Sequence, residues 1–501
     1  ISASNPHYRE MVSIQKLSEI TNIQFEFIEA SVSAYTTLRT AAWQNKNDLP
    51  DLFLFNNPVS EQVTNYRYGA MYAWNDDSLV VRDMQVGNLI ENYMPNYKAL
   101  LESNFGHPEE ISAVSIATMD DGKMYSLVCS NDIPRDRTYK MYINQQWIDN
   151  LNEDYNLNLP DAADIRTLDD YVTVLRAFKE YDANRNDRAD DEIPVTAQSL
   201  YLLRNFILAA FGYVSNSVEI EADGESFVFV PATEEYREYL RFMNMLYEEQ
   251  LLDNSTFEKR SGSSLAGDGY QGRLGSFPDA GAYLTVGEEL DEQYTSFGPL
   301  RSEYYDGELL QYGIKTMFQA TGAIIPTGTP YVREIARMLD ILYSDYGVAL
   351  MAQGVEGVHW SWDDAEKTSW TFHVPEDWKD TSEQYRATIS PSVGTGCALY
   401  IPYEFDRKQN DDTLRRINAE AEIYQDYIKM PIPEDIMLDA EGYNRVALLT
   451  AGLDAYIQST ESNFIKGTVD IDSDTEWNNY LSDLRGYNYE ELVAIYNAAL
   501  Q

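Results

Sequence analysis

Apolar residues near the start of the chain switch between two periods. From His7 to Ile20 they recur at helical spacing, and Ile23-Gln24-Phe25-Glu26-Phe27 then alternates with period two. That order predicts a helix followed by a strand. Another helix is predicted through Leu38, Ala41 and Ala42. Leu49-Pro50-Asp51-Leu52-Phe53-Leu54-Phe55 is a Pro-bounded, nearly continuous apolar run, as expected of a strand buried in a parallel sheet. Strands alternating with helices predict an α/β chain with doubly wound sheets, whose ligands bind beyond the carboxyl ends of the strands. Asn56 and Asn57 stand at such an end and are candidate ligand contacts.

A second region opens with the strand pattern Tyr139-Lys140-Met141-Tyr142-Ile143. Its helix from Leu168 is well marked. Thr167 can cap it, Asp170 follows three residues later, and Leu168, Tyr171, Val172, Leu175 and Phe178 share one face. Near residue 320 the character of the first region returns. Ala323-Ile324-Ile325 reads as a short strand, and Thr329-Pro330 as a helix start ahead of an apolar face of Val332, Ile335, Ala336, Leu339 and Leu342. From about Leu448 the pattern is helical to Leu500. No internal repeat or low-complexity linker interrupts the chain. The expected division is therefore a first lobe of 1–137 and 316–362, and a second lobe of 138–315 and 363–501.

Composition narrows the function. With 501 residues, two or three domains are expected, and a hydrophobic fraction of 44% supports sizeable cores. Lys and Arg number 37 against 82 Asp and Glu, a formal net charge of −45. Such a surface repels phosphate backbones and anionic bilayers, so nucleic acid is excluded as a partner. The 38 tyrosines offer apolar faces with polar tips, which suits sugar rings as well as core packing. Cys129 and Cys397 form neither a metal motif nor a disulfide framework. No apolar run reaches the ~18 residues of a membrane span. The chain begins at Ile1 with neither signal peptide nor lipidation cysteine, the pattern of a mature chain trimmed of any anchor. His7, His107, His359 and His373 build no His-Glu-x-x-His motif, and neither a Gly-x-Ser-x-Gly elbow nor a phosphate-binding loop is present. The expectation is a binding protein and not an enzyme. Carboxylate pairs for glycoside hydrolysis remain open, because so acidic a chain always offers pairs.

One loop has metal-binding spacing. Asp182-Ala183-Asn184-Arg185-Asn186-Asp187-Arg188-Ala189-Asp190-Asp191-Glu192 places side-chain oxygens from Asp182, Asn184, Asn186 and Asp190 at positions 1, 3, 5 and 9. Alternate oxygens in a tight loop wrap a hard cation, here Ca2+, with the Arg188 carbonyl at position 7 and Asp191 or Glu192 closing the shell. Asp187 stands where glycine makes the sharp turn of such loops, and it tolerates the left-handed conformation better than most residues. The alternative is a metal-free polar turn. A second acidic run, Asp470, Asp472, Asp474 and Glu476, reads as a helix start in which Ser473 and Glu476 form a capping box.

Several short stretches, in order along nearly the whole chain, resemble the family-1 extracellular solute-binding proteins of ABC importers, especially the large alginate- and oligosaccharide-binding type. They are Asp48-Leu49-Pro50-Asp51, Asp121-Gly122-Lys123-Met124-Tyr125, Met141 to Ile148, Phe178 to Pro194, Leu246 to Asp253, Leu342 to Trp360, and Phe464-Ile465-Lys466-Gly467 with Glu476-Trp477 and Tyr480. Asn144 departs from the pattern, standing where an Arg is common.

The resemblance implies a two-lobed periplasmic-binding-protein fold (type II), joined by crossover segments and closing on its ligand by a hinge motion. It implies capture of an oligosaccharide and delivery to the importer's transmembrane permease. The protein is then an extracellular lipoprotein or a periplasmic protein, monomeric, with a structural calcium ion in the acidic loop. The candidate contacts are Tyr125 ahead of the first crossing, Phe277 and Tyr283 in the Gly-rich stretch 275–284, and Glu356 and Trp360 after the long helix, with Asn56, Asn57 and Trp74. A peptide-binding protein and a secreted carbohydrate-active enzyme are the alternatives.

Overall fold

The computed structural model describes residues 7–500 except 31, 46–48, 55–56, 104–112, 132, 189, 259–261, 314–317, 320, 380–381, 392–399 and 434–435. Asn56 and Cys397 thus lie outside the described residues. The chain forms two compact units, each assembled from two segments: Ile1–Ile133 with Thr316–Arg415, and Pro134–Lys315 with Arg416–Gln501. Residues 363–415, assigned from the sequence to the second lobe, belong to the first unit. The reason is local: the strand Trp370–Phe372 pairs with Trp360–Trp362, which ties the segment beyond residue 362 to the same unit.

In the first unit, Phe53–Leu54 pairs antiparallel with Ala323–Ile324, not parallel as the apolar run suggested. Continuous hydrophobicity reports burial on both faces and does not fix the direction of the neighbour. Ile23, Phe25 and Phe27 keep the predicted alternation of half-buried and exposed positions, with Phe25 and Phe27 packed on the core. Among the described residues they have no ladder partner and form no strand. The helix expected at Thr329-Pro330 begins at Val332, because Thr329 first accepts the Tyr331 N–H in a local turn. Its predicted face, Val332, Ile335, Ala336 and Leu339, is buried as the pattern requires.

The second unit is organised by a four-stranded sheet in the order Tyr294–Phe297, Lys140–Asn144, Leu274–Asp279, Ile193–Val195. Two of its pairings are antiparallel and only Ile193–Val195 lies parallel to its neighbour, so the sheet is mixed and not doubly wound in the strict parallel sense. All five residues of Lys140–Asn144 are buried. Leu168–Glu180 carries the capping box read from the sequence: Thr167 Oγ1 accepts the Asp170 N–H at 3.1 Å and Asp170 accepts the Thr167 N–H at 3.0 Å. Its buried face packs in one core with Trp147, Tyr239, Leu240 and the long helix Ala440–Ile465. Asp474–Gly486 is capped by Ser473. The acidic run ahead of it is held by arginines, Asp472 by Arg241 at 2.8 Å and Asp474 by Arg237 at 2.9 Å. Among the described residues, no helix is long and apolar enough to cross a membrane.

Candidate functional site

The structure separates the predicted contacts into core and surface. Trp74 is fully buried, its indole N–H donating to the Ala323 carbonyl at 3.1 Å. Phe277 is fully buried between Tyr142 and Tyr294. Trp360 is 2% exposed; Trp362, Trp370 and Phe405 surround it edge-on and its indole donates to the Gly354 carbonyl. Asn57 is 1% exposed, and its side-chain amide donates to the Gly322 carbonyl at 3.0 Å while its main-chain carbonyl accepts from Gln62. These four residues are buried within their units.

Tyr125 lies at the rim of this division. Its ring stacks on Tyr66, centroids 4.8 Å apart and planes 20° apart, and its hydroxyl donates to Asp121 at 2.7 Å. Burial and the Asp121 hydrogen bond push its phenol well above the ordinary value, so it stays a neutral donor. Tyr66 is tied by Arg67 and Asp120 and was not visible in the sequence, because its helix Val59–Arg67 has no distinguishing motif. Glu356 is exposed. Tyr283 is half-buried and opens a short helix, Tyr283–Val286, whose loop is pinned at both ends. Asp279 accepts from the Ala280 N–H and the Thr285 hydroxyl, and Asp291 is paired with Arg416. A Cβ on Gly281 would come within 2.8 Å of the Tyr283 ring, so glycine is needed there for the ring to lie against the loop.

The acidic loop folds as a succession of Asx turns. Asp182 accepts the N–H groups of Asn186 (3.0 Å) and Asp187 (2.8 Å), Asn184 accepts that of Asn186 (3.1 Å), and Asn186 that of Arg188 (2.9 Å). Asp187 takes the left-handed conformation, φ +65°, that its place in the loop calls for. Asp191 and Glu192 are buried at 6% and 8% exposure. Asp191 faces the amides of Asn184 and Asn186 and approaches Arg188 at 3.5 Å. Glu192 accepts the Ala183 N–H through Oε1, while its buried Oε2 has no hydrogen-bond partner among the described residues, and burial raises its carboxyl above the ordinary range. An orphaned buried carboxylate oxygen at the end of an oxygen-rich loop fits a hard cation. Asp190 does not join this set, since its side chain is exposed beside Arg188. Among the described residues no three His, Cys, Asp or Glu side chains converge, so a cation here would depend on amide and main-chain oxygens as well.

Known proteins supply the remaining comparison. No protein-family model matches the chain. The fructooligosaccharide ABC transporter substrate-binding protein FusA of Streptococcus pneumoniae serotype 4 is 24% identical over 436 residues, covering 82% of this chain and 74% of that protein. The solved structure of S. pneumoniae FusA in complex with kestose matches at a TM-score of 0.77 and 22% identity, over 100% of this chain and 97% of that one. This chain has the fold of the ABC-importer solute-binding proteins. The alginate-binding protein AlgQ2, solved without calcium ion, matches at a TM-score of 0.70 and 17% identity over 98% of this chain and 94% of its own. A FusA EF-hand mutant bound to fructo-nystose matches at 0.76 and 21% identity, over 100% of this chain and 97% of that one. The resemblance carried by the sequence stretches therefore holds, and so does the two-unit α/β architecture they implied.

Proposed function

We propose that this protein is the substrate-binding subunit of a bacterial ABC importer and that it captures an oligosaccharide outside the cytoplasmic membrane for delivery to the permease. The observation that carries this reading is the agreement of a sequence relationship over most of the chain with a fold match over all of it, both to a fructooligosaccharide-binding protein. Its relatives are binding subunits, so the protein holds sugar without converting it. Tyr125, Tyr283 and Glu356 remain its candidate contacts.

Loop 182–192 holds a calcium ion in this reading. Asp182, Asn184, Asn186, Asp191, Glu192 and the Arg188 carbonyl would supply oxygens, and the ion would neutralise the buried carboxylates and fix the loop. Its role is structural.

Calorimetric titration with neutral and acidic oligosaccharides, followed by chromatography of the recovered sugar, tests the function. One sugar should bind per chain and be recovered unchanged. Released product, or no binding across the panel, would sink the proposal.

A further inference from the structure

Three tyrosines from separate segments of the second unit lie near one end of its mixed sheet, Tyr139 at the sheet itself, Tyr201 on a helix and Tyr312 on a separate strand pair. Ile193–Val195 and Leu274–Asp279 run parallel, with Val195 opposite Ser276, so their carboxyl ends point the same way. Lys140 opposite Asp279 puts the beginning of the antiparallel strand Lys140–Asn144 at that same end. Tyr139 immediately precedes this strand. Tyr201 lies in the first turn of Leu200–Ile207, the helix that follows Ile193–Val195. Tyr312 ends the short strand Gln311–Tyr312.

The three are fixed to one another. The Tyr201 and Tyr312 rings meet edge to face at 6.4 Å and 76°. Thr138 Oγ1 donates to the Tyr312 carbonyl at 2.7 Å, and the Gln311 amide donates to Thr138 Oγ1 at 3.1 Å and to the Tyr139 carbonyl at 3.3 Å. The buried Gln311 Oε1 accepts no hydrogen bond among the described residues. Tyr139 and Tyr201 nevertheless remain 45% and 46% exposed. Rigid, exposed phenols at the carboxyl ends of strands combine flat apolar faces with hydroxyls that donate and accept, the chemistry that recognises a sugar ring.

Charge at this edge selects among sugars. The Asp279 carboxylate lies beside Tyr139. Among the described residues the cations at this edge are committed to other partners: Lys429, opposite Tyr312 in register, is paired with Glu219 at 2.7 Å, and Arg137 donates to Gln425 at 3.0 Å. Lys140 is buried and donates to the carbonyls of Arg135 and Thr138, and Arg204, 5.5 Å above the Tyr201 ring, is paired with Glu461 at 2.6 Å. A uronate carboxylate placed here would meet a like charge, with no ammonium or guanidinium among the described residues released to pair with it.

Resting on the sugar-capture reading above, we infer that Tyr139, Tyr201 and Tyr312 form the saccharide-binding face of the second unit and that this face takes a neutral sugar, not a uronate. The test is calorimetric titration of the whole chain with kestose and fructo-nystose as neutral probes and a uronic-acid trisaccharide as the acidic one. Tyr139→Ala and Tyr201→Ala should each weaken neutral-sugar binding by roughly tenfold or more, the loss of one ring contact, with an unchanged melting temperature. Tyr270→Ala and Tyr331→Ala remove tyrosines of equal or greater exposure elsewhere and should bind as the unsubstituted chain does. If neutral sugar binds the unsubstituted chain and both trio variants equally well, the assigned face is wrong while sugar capture stands. Tighter binding of the uronate overturns the charge argument, and no binding of any probe overturns both readings.

Discussion

Lys140 and Asp279 stand directly opposite each other on neighbouring antiparallel strands, yet each turns to other partners. The Lys140 ammonium donates to the carbonyls of Arg135 at 3.0 Å and Thr138 at 3.3 Å, and the Asp279 carboxylate accepts from the Ala280 N–H and the Thr285 hydroxyl. Burial is the largest influence on both. It lowers Lys140 to about 8 and raises Asp279 to about 6.

These shifts predict opposite slopes of stability with pH. Between the ordinary Asp value of 3.8 and about 6, the native state keeps a proton that the unfolded chain has lost, so stability falls as pH rises. Between about 8 and 10.5 the native Lys140 has lost a proton that the unfolded chain retains, so stability rises with pH. Each window is worth on the order of 3 kcal/mol. Urea melts across pH should show that Asp279→Asn reduces the acid slope and Lys140→Met the alkaline one. Variant curves that run parallel to the unsubstituted curve would refute the assignment.

The calcium reading predicts that a chelator lowers the melting temperature and that Asp182→Ala reproduces the loss. An ion bound only by the native state stabilises by about 2.7 kcal/mol at a hundredfold excess over its dissociation constant. Elemental analysis of the purified protein supplies a second readout. A chelator-insensitive melt with no bound metal would leave the loop as a polar turn held by its own Asx bonds.

Local signals in the sequence were legible and distant ones were not. The Thr167–Asp170 capping box and the left-handed Asp187 depend on residues a few positions apart, and the structure has both. Ile23 to Phe27 keeps its alternation but lacks a neighbouring strand among the described residues, which no local pattern can supply. Phe277 and Trp360 have the composition of sugar-stacking residues. Their faces are covered by remote segments, Tyr142 and Tyr294 in one case and Trp370 and Phe405 in the other. Tyr201 and Tyr312 are not distinctive in the sequence for the same reason: only the fold brings the helix Leu200–Ile207 and the strand Gln311–Tyr312 together.

Tyr66 and Tyr125 are 9% and 7% exposed, so their stack also stabilises the fold. Tyr66→Ala should destabilise the protein by about 3 kcal/mol in chemical denaturation, since it removes a buried ring and leaves a cavity against Tyr125. Tyr66→Phe keeps the stack and loses only the hydroxyl bonded to Asp120 and Arg67, at a cost of about 1 kcal/mol. Equal losses for the two variants would show that the hydroxyl, not the ring, is the group on which the fold depends.

The buried pair Arg204–Glu461 gives the sharpest test of how the second unit is held. Nη1 and Oε2 are 2.6 Å apart, the side chains are 7% and 1% exposed, and Tyr239 donates its hydroxyl to the other carboxylate oxygen at 3.0 Å. Burying both charges carries a desolvation cost that their attraction offsets only while both are present. Glu461→Gln therefore leaves the Arg204 charge buried without a counter-charge and should destabilise by about 3–5 kcal/mol. Replacing both residues with Met removes the stranded charge and restores apolar volume to a core already formed by Phe206, Tyr239 and Ile457. The double variant should then be more stable than Glu461→Gln, although more of the native network has been deleted. Urea melts with unchanged denaturant dependence would make the comparison valid. A double variant less stable than the single one would mean that the arginine stem and its remaining contacts, and not the balance of charge, hold Leu200–Ile207 to Ala440–Ile465.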